Sequence, residues 1–181
     1  MGQSGKLDLT RGDSRMQGQL QDGRLDGRVR IEEAGRPQAQ LSYSQGELDG
    51  PVTLFHANGQ VSARLPYARS RLHGVATYHA VEGWLQRKVN YRHGLMHGEA
   101  SSYFPDGSLA EVEHYRDGVR DGACLRYHGN GQVALRSRYV NGRLLEPGQA
   151  FSNDGRPLDA KGKPLSRLRW WLKQRSESSE A

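Results

Sequence analysis

Apolar and polar residues alternate in runs of five or six along most of the chain, and the runs come in pairs. In "PVTLFHANGQVSARLPY", Val52 and Leu54 are followed by "ANGQ" and then by Val61, Ala63 and Leu65. Period-two alternation on both sides of an Asn-Gly pair predicts a half-buried β-hairpin, because successive side chains on a strand point to opposite faces. Equivalent turns stand at "PDGS" (105–108), "GNGQ" (129–132) and "NDGR" (153–156).

The pairs recur with a fixed period. Gly50, Gly74, Gly98 and Gly122 open successive copies, followed by turn glycines Gly59, Gly83, Gly107 and Gly131 and then by Tyr67, Tyr91, Tyr115 and Tyr139, each series 24 residues apart. Tyr43 extends the tyrosines backwards and Gly27 the opening glycines, with one residue missing between Gly27 and Gly35, which predicts a shortened loop there. A third series, Gly23, Gly46, Gly94, Gly118 and Gly142, marks a second turn, with Ser70 in the one gap. Beside it Leu48, Leu72, Met96 and Val119 or Arg120 place an apolar residue between turn residues. Units of this size cannot bury an apolar face alone and do so against their neighbours. The predicted fold is therefore all-β: an elongated antiparallel meander of hairpin repeats over residues 10–160, after a flexible stretch at 1–9. Glu146, Pro147 and Gly148 break the pattern in a last, capping repeat.

After Pro164 the period changes. Leu165, Leu168 and Leu172, with Trp171 near the same face, have helical spacing, and Ser166 is placed to cap the helix start. We expect a basic amphipathic helix over 161–175 and a disordered tail over 176–181. Trp170 and Trp171 point different ways, so one packs on the sheet edge while the other stays near solvent.

Composition agrees with a shallow repeat structure. Hydrophobic residues make up 35% of the 181 and glycines number 23, thin provision for a closed core and generous provision for turns. The net charge of +6 is uneven: residues 161–181 hold six of the 26 basic groups against two of the 20 acids. The array itself is a mixed-sign surface, which weighs against nucleic acid as a partner. No apolar run approaches the roughly 20 residues needed to cross a bilayer, and the N-terminus lacks an apolar leader. A cytoplasmic protein is expected.

The units, Tyr-x-x-Gly-x-x-x-Gly, then an aromatic strand, then Asn-Gly or Asp-Gly, then a strand ending in Tyr, resemble MORN repeats. They look most like the bacterial variant in the YwqK-family antitoxins. By position the resemblance carries the family's glycines onto Gly46 and Gly50, Gly94 and Gly98, and Gly118 and Gly122, and its strand aromatics onto Phe55, Tyr103, Tyr127 and Phe151. His79, with Tyr78 beside it, departs at the aromatic position, and Ser70 at a glycine. The resemblance implies a curved antiparallel sheet without catalytic machinery. It also implies protein partners, toxin neutralisation in bacterial members, and membranes in eukaryotic ones.

The candidate chemistry is sparse. Cys124 is alone, lies in a strand, and reads as a buried structural thiol rather than a nucleophile. His73 and His97 stand where other units have Asp26, Asp49 and Asp121, so they read as turn residues, and the glycine between His93 and His97 prevents a helix from aligning them on a metal. Glu111 and Glu113 share a strand face without a sign of a cleft. No phosphate-binding loop, metal or cofactor is implied.

The expectation is a non-enzymatic protein-binding module, an antitoxin or immunity protein that occludes a toxin or effector. Phe55, Tyr103 and Tyr127 would anchor the partner, and Arg64, Arg87, Arg126 and Arg136 would pair with its carboxylates on one face of the sheet. The other readings are a structural scaffold and a peripheral binder of anionic lipid. For the latter, Arg167, Arg169, Trp170, Trp171 and Lys173 would either touch a membrane surface or cap the last strand.

Overall fold

The computed structural model describes residues 4–171. Among them the chain is nearly all antiparallel β, strand following strand in a meander, with one short helix at residues 167–171. It divides into two compact units, Met1–Ala100 and Ser101–Ala181, where the periodicity suggested a single array.

The first unit holds β1 (Gly5–Arg11), β2 (Ser14–Gln21), β3 (Arg24–Leu25), β4 (Gly27–Glu33), β5 (Arg36–Ser44), β6 (Glu47–Leu48), β7 (Gly50–Phe55), β8 (Val61–Ala68), β9 (Arg71–Leu72), β10 (Gly74–His79) and β11 (Leu85–Arg92). β12 (Leu95–Tyr103) carries the chain into the second unit. There follow β13 (Leu109–Arg116), β14 (Val119–Tyr127), β15 (Val133–Val140), β16 (Arg143–Leu144) and β17 (Gln149–Ala150).

β3, β6 and β9 are each the first part of a longer strand, continued in β4, β7 and β10 and interrupted at the residue before the opening glycine. β8 illustrates the plan: it pairs with β7 on one side and with β9 and then β10 on the other. The opening glycine stands opposite the repeat tyrosine, as in Gly50↔Tyr67, Gly74↔Tyr91 and Gly122↔Tyr139. Gly122 has φ +126, and a Cβ there would lie 3.0 Å from the Cβ of His114, so a side chain would be both strained and crowded. All five repeat tyrosines, from Tyr43 to Tyr139, are half-buried.

The two turns of a repeat are built differently. The Tyr-x-x-Gly turns hold both central residues at positive φ, for example Gln45 and Gly46 at 49 and 88. That is the two-residue turn whose twist suits a hairpin. Ser70 keeps this geometry at φ 60 with its hydroxyl accepting a 3.1 Å bond from Leu48 N–H, so the loss of the glycine leaves the turn intact. The Asn-Gly loops are longer: Phe55 pairs with Val61 across five loop residues, with a bulge beside Phe55. Before them, Glu33 pairs with Arg36 around Ala34 and Gly35 alone, the shortened loop that the missing residue requires.

Consecutive repeats are bonded through their turns at both sides of the sheet. The turn N–H groups of Gly46, Ser70 and Gly94 donate to the carbonyls of Leu25, Leu48 and Leu72 at 2.7–2.8 Å. On the opposite side His56 Nε2 donates to His79 O at 3.0 Å and Asn58 Nδ2 to Val81 O at 2.9 Å. His128 and Asn130 repeat this contact onto Phe151 O and Asn153 O. Two of the histidines thus serve as fasteners between repeats.

One face of the sheet is packed. In the first unit its buried residues are Val29, Ala39, Val52, Ala63, Ala76, Val89 and Ala100. They face apolar residues across strands: Ala76 is opposite Val89, and Ala63 is opposite half-buried Leu54. Alanine and valine suffice because a single sheet covers its own face only one side chain deep. Each valine so buried contributes roughly 1.5–2 kcal/mol over an exposed one.

The ends differ from expectation. Residues 5–9, expected as part of a flexible lead-in, belong to β1, which pairs with β2 from Gly5↔Leu20 to Arg11↔Ser14. Asp8 fixes this edge by accepting from Arg15 Nε at 2.9 Å. At the other end the β pattern outlasts residue 160, with bridges Phe151↔Pro157 and Leu158↔Pro164 and a turn at Gly162. The helix therefore starts later than 161, with Ser166 Oγ accepting from Arg169 N–H at 3.4 Å as its cap. Leu168 is 68% exposed rather than inward, while Leu165 and Trp170 are half-buried and Trp171 is 48% exposed. Residues 172–175 of the expected helix, including Lys173, and the tail 176–181 lie outside the described residues. No described helix is long and apolar enough to cross a membrane.

Candidate functional site

In the second unit the packed face stops being apolar. The repeat position occupied by Leu41, Leu65 and Val89 holds Glu113, and the position of Leu48, Leu72 and Met96 holds Arg120. β13 and β14 bring these together, with Glu113 opposite Cys124, Glu111 opposite Arg126 and Tyr115 opposite Arg120. Arg120 Nη2 lies 2.6 Å from Glu113 Oε1, and the Tyr115 hydroxyl donates to the same oxygen at 3.2 Å. Arg126 Nε meets Glu111 Oε1 at 2.9 Å, and the Cys124 thiol lies 3.7 Å from that oxygen. The Arg120 guanidinium also lies over the Tyr139 ring, 5.3 Å from its centroid.

The electrostatics of this cluster are those of a closed network. The Glu113 side chain is 4% exposed and that of Arg120 40%. A hydrogen bond to Tyr115, then the charge of Glu113, raise the Arg120 pKa further above its ordinary value, against burial, which lowers it. Burial first, then the carboxylates of Glu111 and Glu113, push the Cys124 thiol up. A raised thiol pKa means less thiolate, the nucleophilic form, so the arrangement disfavours cysteine chemistry. Glu111, Glu113 and Cys124 could each offer a metal-ligand atom within 4.8 Å of the others. Both carboxylates, however, are already matched by guanidinium groups on the same face.

The expected anchors do not lie on one face. In the first unit Arg64 is opposite Thr53 and exposed, whereas Arg87 is opposite Tyr78 on the packed face and half-buried. In the second, Arg136 is opposite Leu125 and exposed, while Arg126 is on the packed face, tied to Glu111. Alternation along the strand separates each pair. Phe55, Tyr103 and Tyr127 are half-buried. Arg136 lies over the ring of Phe151, 5.8 Å from its centroid.

Arg64 borders a shallow depression of about 290 Å³ formed with Pro51, Pro66 and Val75. Pro51 and Pro66 are cross-strand partners and Val75 is 51% exposed, so apolar surface and a guanidinium adjoin on the outer face. At the aromatic position of the next repeat, burial and then the nearby Arg64 and His56 lower the His79 pKa.

The sequence reading missed the Glu113–Arg120 pair. The signal was available: within the 24-residue register, a carboxylate and a guanidinium interrupt two otherwise aliphatic positions, and they do so in the same repeat.

Residues 48–68 and 96–117 each match the MORN repeat variant family. Such repeats are associated with binding protein or membrane lipid rather than with catalysis. No curated protein matches the chain.

Proposed function

We propose that the chain is a protein-binding module that neutralises a toxin or effector by covering it, an antitoxin or immunity protein of the bacterial cytoplasm. The observation that carries this reading is the outer face around Arg64. There a guanidinium with no ion pair among the described residues adjoins exposed Pro51 and Val75, the mix of arginine and desolvatable apolar surface in which interfaces concentrate their energy. Arg136 on Phe151 offers the same chemistry in the second unit. Of the four arginines expected at the interface, these two carry the contact, and Arg87 and Arg126 maintain the packed face.

A tagged pull-down from the native cell at physiological and high salt, with mass spectrometry, tests this. One stoichiometric protein retained at high salt by the parent and lost from Arg64→Glu/Arg136→Glu supports neutralisation and names the toxin to assay. A second reading, contact with an anionic membrane, is favoured by exposed Leu168 and Trp171 next to Arg167 and Arg169 in the helix. Retention of membranes alone, released by salt and abolished by deleting residues 161–175, overturns the antitoxin reading in favour of it.

A further inference from the structure

The Tyr-x-x-Gly turns of the first unit stack into one ladder, joined by the bonds from Gly46, Ser70 and Gly94 to the preceding repeat. Along this ladder the charges are sorted. The earlier turns carry Asp22, Asp26, Glu47 and Asp49 with Arg24 as the one base, and the later ones carry Arg69, Arg71, His73 and His93. At the basic end, Arg69, Arg71, His73 and His93, with Ala68 and Glu47, line a cavity of about 530 Å³. The His73 and His93 rings form one wall, their centroids 5.2 Å apart and tilted by 59°. Neither Arg69 nor Arg71 has an ion pair among the described residues, and both are exposed. At the acidic end, Asp22, Asp26, Arg24, Gln21 and Gln45 line a second cavity of about 300 Å³.

We infer that this turn edge docks an extended segment of a partner protein, which places an acidic side chain between Arg69 and Arg71 and a basic one against Asp22 and Asp26. The inference rests on the protein-binding reading and adds to it a second contact surface and the charge pattern of the partner. Two guanidinium groups flanking an open cavity suit a carboxylate, which each can bind through paired N–H donors. Strands lie about 4.8 Å apart, so successive turns are roughly 10 Å apart and the two cavities roughly 20 Å. An extended peptide rises about 3.3 Å per residue and covers that span in about six residues. A uniformly anionic surface, membrane or nucleic acid, fits this edge poorly because Asp22, Asp26, Glu47 and Asp49 would repel it along the same ladder.

The test uses the full chain and two labelled peptides of identical composition, read by fluorescence anisotropy. In one peptide two glutamates and two lysines are separated by about six residues; in the other the same charges alternate. The separated peptide is expected to bind at least fivefold more tightly. Arg69→Glu/Arg71→Glu is expected to weaken it about tenfold with the thermal unfolding curve unchanged, since both side chains are exposed. Equal binding of the two peptides, or no loss in the double variant, overturns the inference. So does binding to phosphatidylserine vesicles that depends on Arg69 and Arg71, which would make the ligand a membrane. None of these outcomes touches Arg64 or Arg136, so the sheet-face reading stands or falls separately on the pull-down.

Discussion

Removing the two partners of the buried ion pair should have unequal consequences. Replacing Arg120 with Met, the residue of the preceding repeat at this position, leaves the Glu113 carboxylate 4% exposed and without the cation 2.6 Å away. Stranding one partner of a buried pair costs about 3–5 kcal/mol, and the Tyr115 hydroxyl still donating to Glu113 places this case near 3. Replacing Glu113 with Val, the residue at position 89, leaves a guanidinium whose side chain is 40% exposed. Water can solvate that group, and valine gains apolar burial, so the loss should stay within about 1 kcal/mol. The double variant Glu113→Val/Arg120→Met restores the aliphatic pattern of the earlier repeats and should equal or exceed the parent, giving a coupling of at least about 2 kcal/mol. Urea unfolding of the four proteins, followed by circular dichroism and tryptophan fluorescence, measures it. If Arg120→Met proves as mild as Glu113→Val, the pair is not a desolvated unit and the account of the second unit's packed face fails.

Three further outcomes are expected. Ser70→Ala should lower stability by about 1 kcal/mol by losing the hydroxyl that accepts from Leu48 N–H, whereas Ser70→Gly relieves the φ of 60 and should be close to neutral; thermal unfolding separates the two. Cys124 should alkylate with iodoacetamide far more slowly in the folded protein than in urea at pH 8, and rapid native labelling would contradict its burial and raised pKa. Asp8 is held at about 2 by hydrogen bonds from Arg15 and then Gln17. Its contribution to anchoring β1 is therefore present above the unfolded value near 3.8 and is lost as pH falls through about 2. A carboxyl NMR titration should show the low midpoint, and Arg15→Gln should return it towards the ordinary range.

The hairpins, the places of their turns and the one shortened loop were legible because each depends on local chemistry, whereas the five-residue length of the Asn-Gly loops was not. An Asn-Gly or x-Gly pair fixes a turn, alternation fixes which residues share a face, and a period of 24 fixes how copies align. Even the shortened loop before Arg36 followed from counting. Helical spacing after Pro164 was legible too, but not the helix's start: Pro157, Leu158 and Pro164 make isolated bridges, Phe151↔Pro157 and Leu158↔Pro164, too short to leave an alternating pattern, and these extend the sheet pattern into residues assigned to the helix.

What tertiary structure alone decided is which charges share the buried face. Alternation marks the face of Val52, Leu54, Ala63 and Leu65 as apolar, but only the register between strands places Arg87 on that face and Arg64 on the other. Burial of Ala63, Ala76 and Val89 settles which face is covered, and with it the side of the sheet on which each arginine lies. The same holds for Glu113 and Arg120. In the sequence they are two charges seven residues apart; across the β13–β14 hairpin they become a contact at 2.6 Å, because pairing joins residues that chain distance separates. Local residue chemistry determined the elements and their order, while the cross-strand register determined which charges are buried partners and which are exposed.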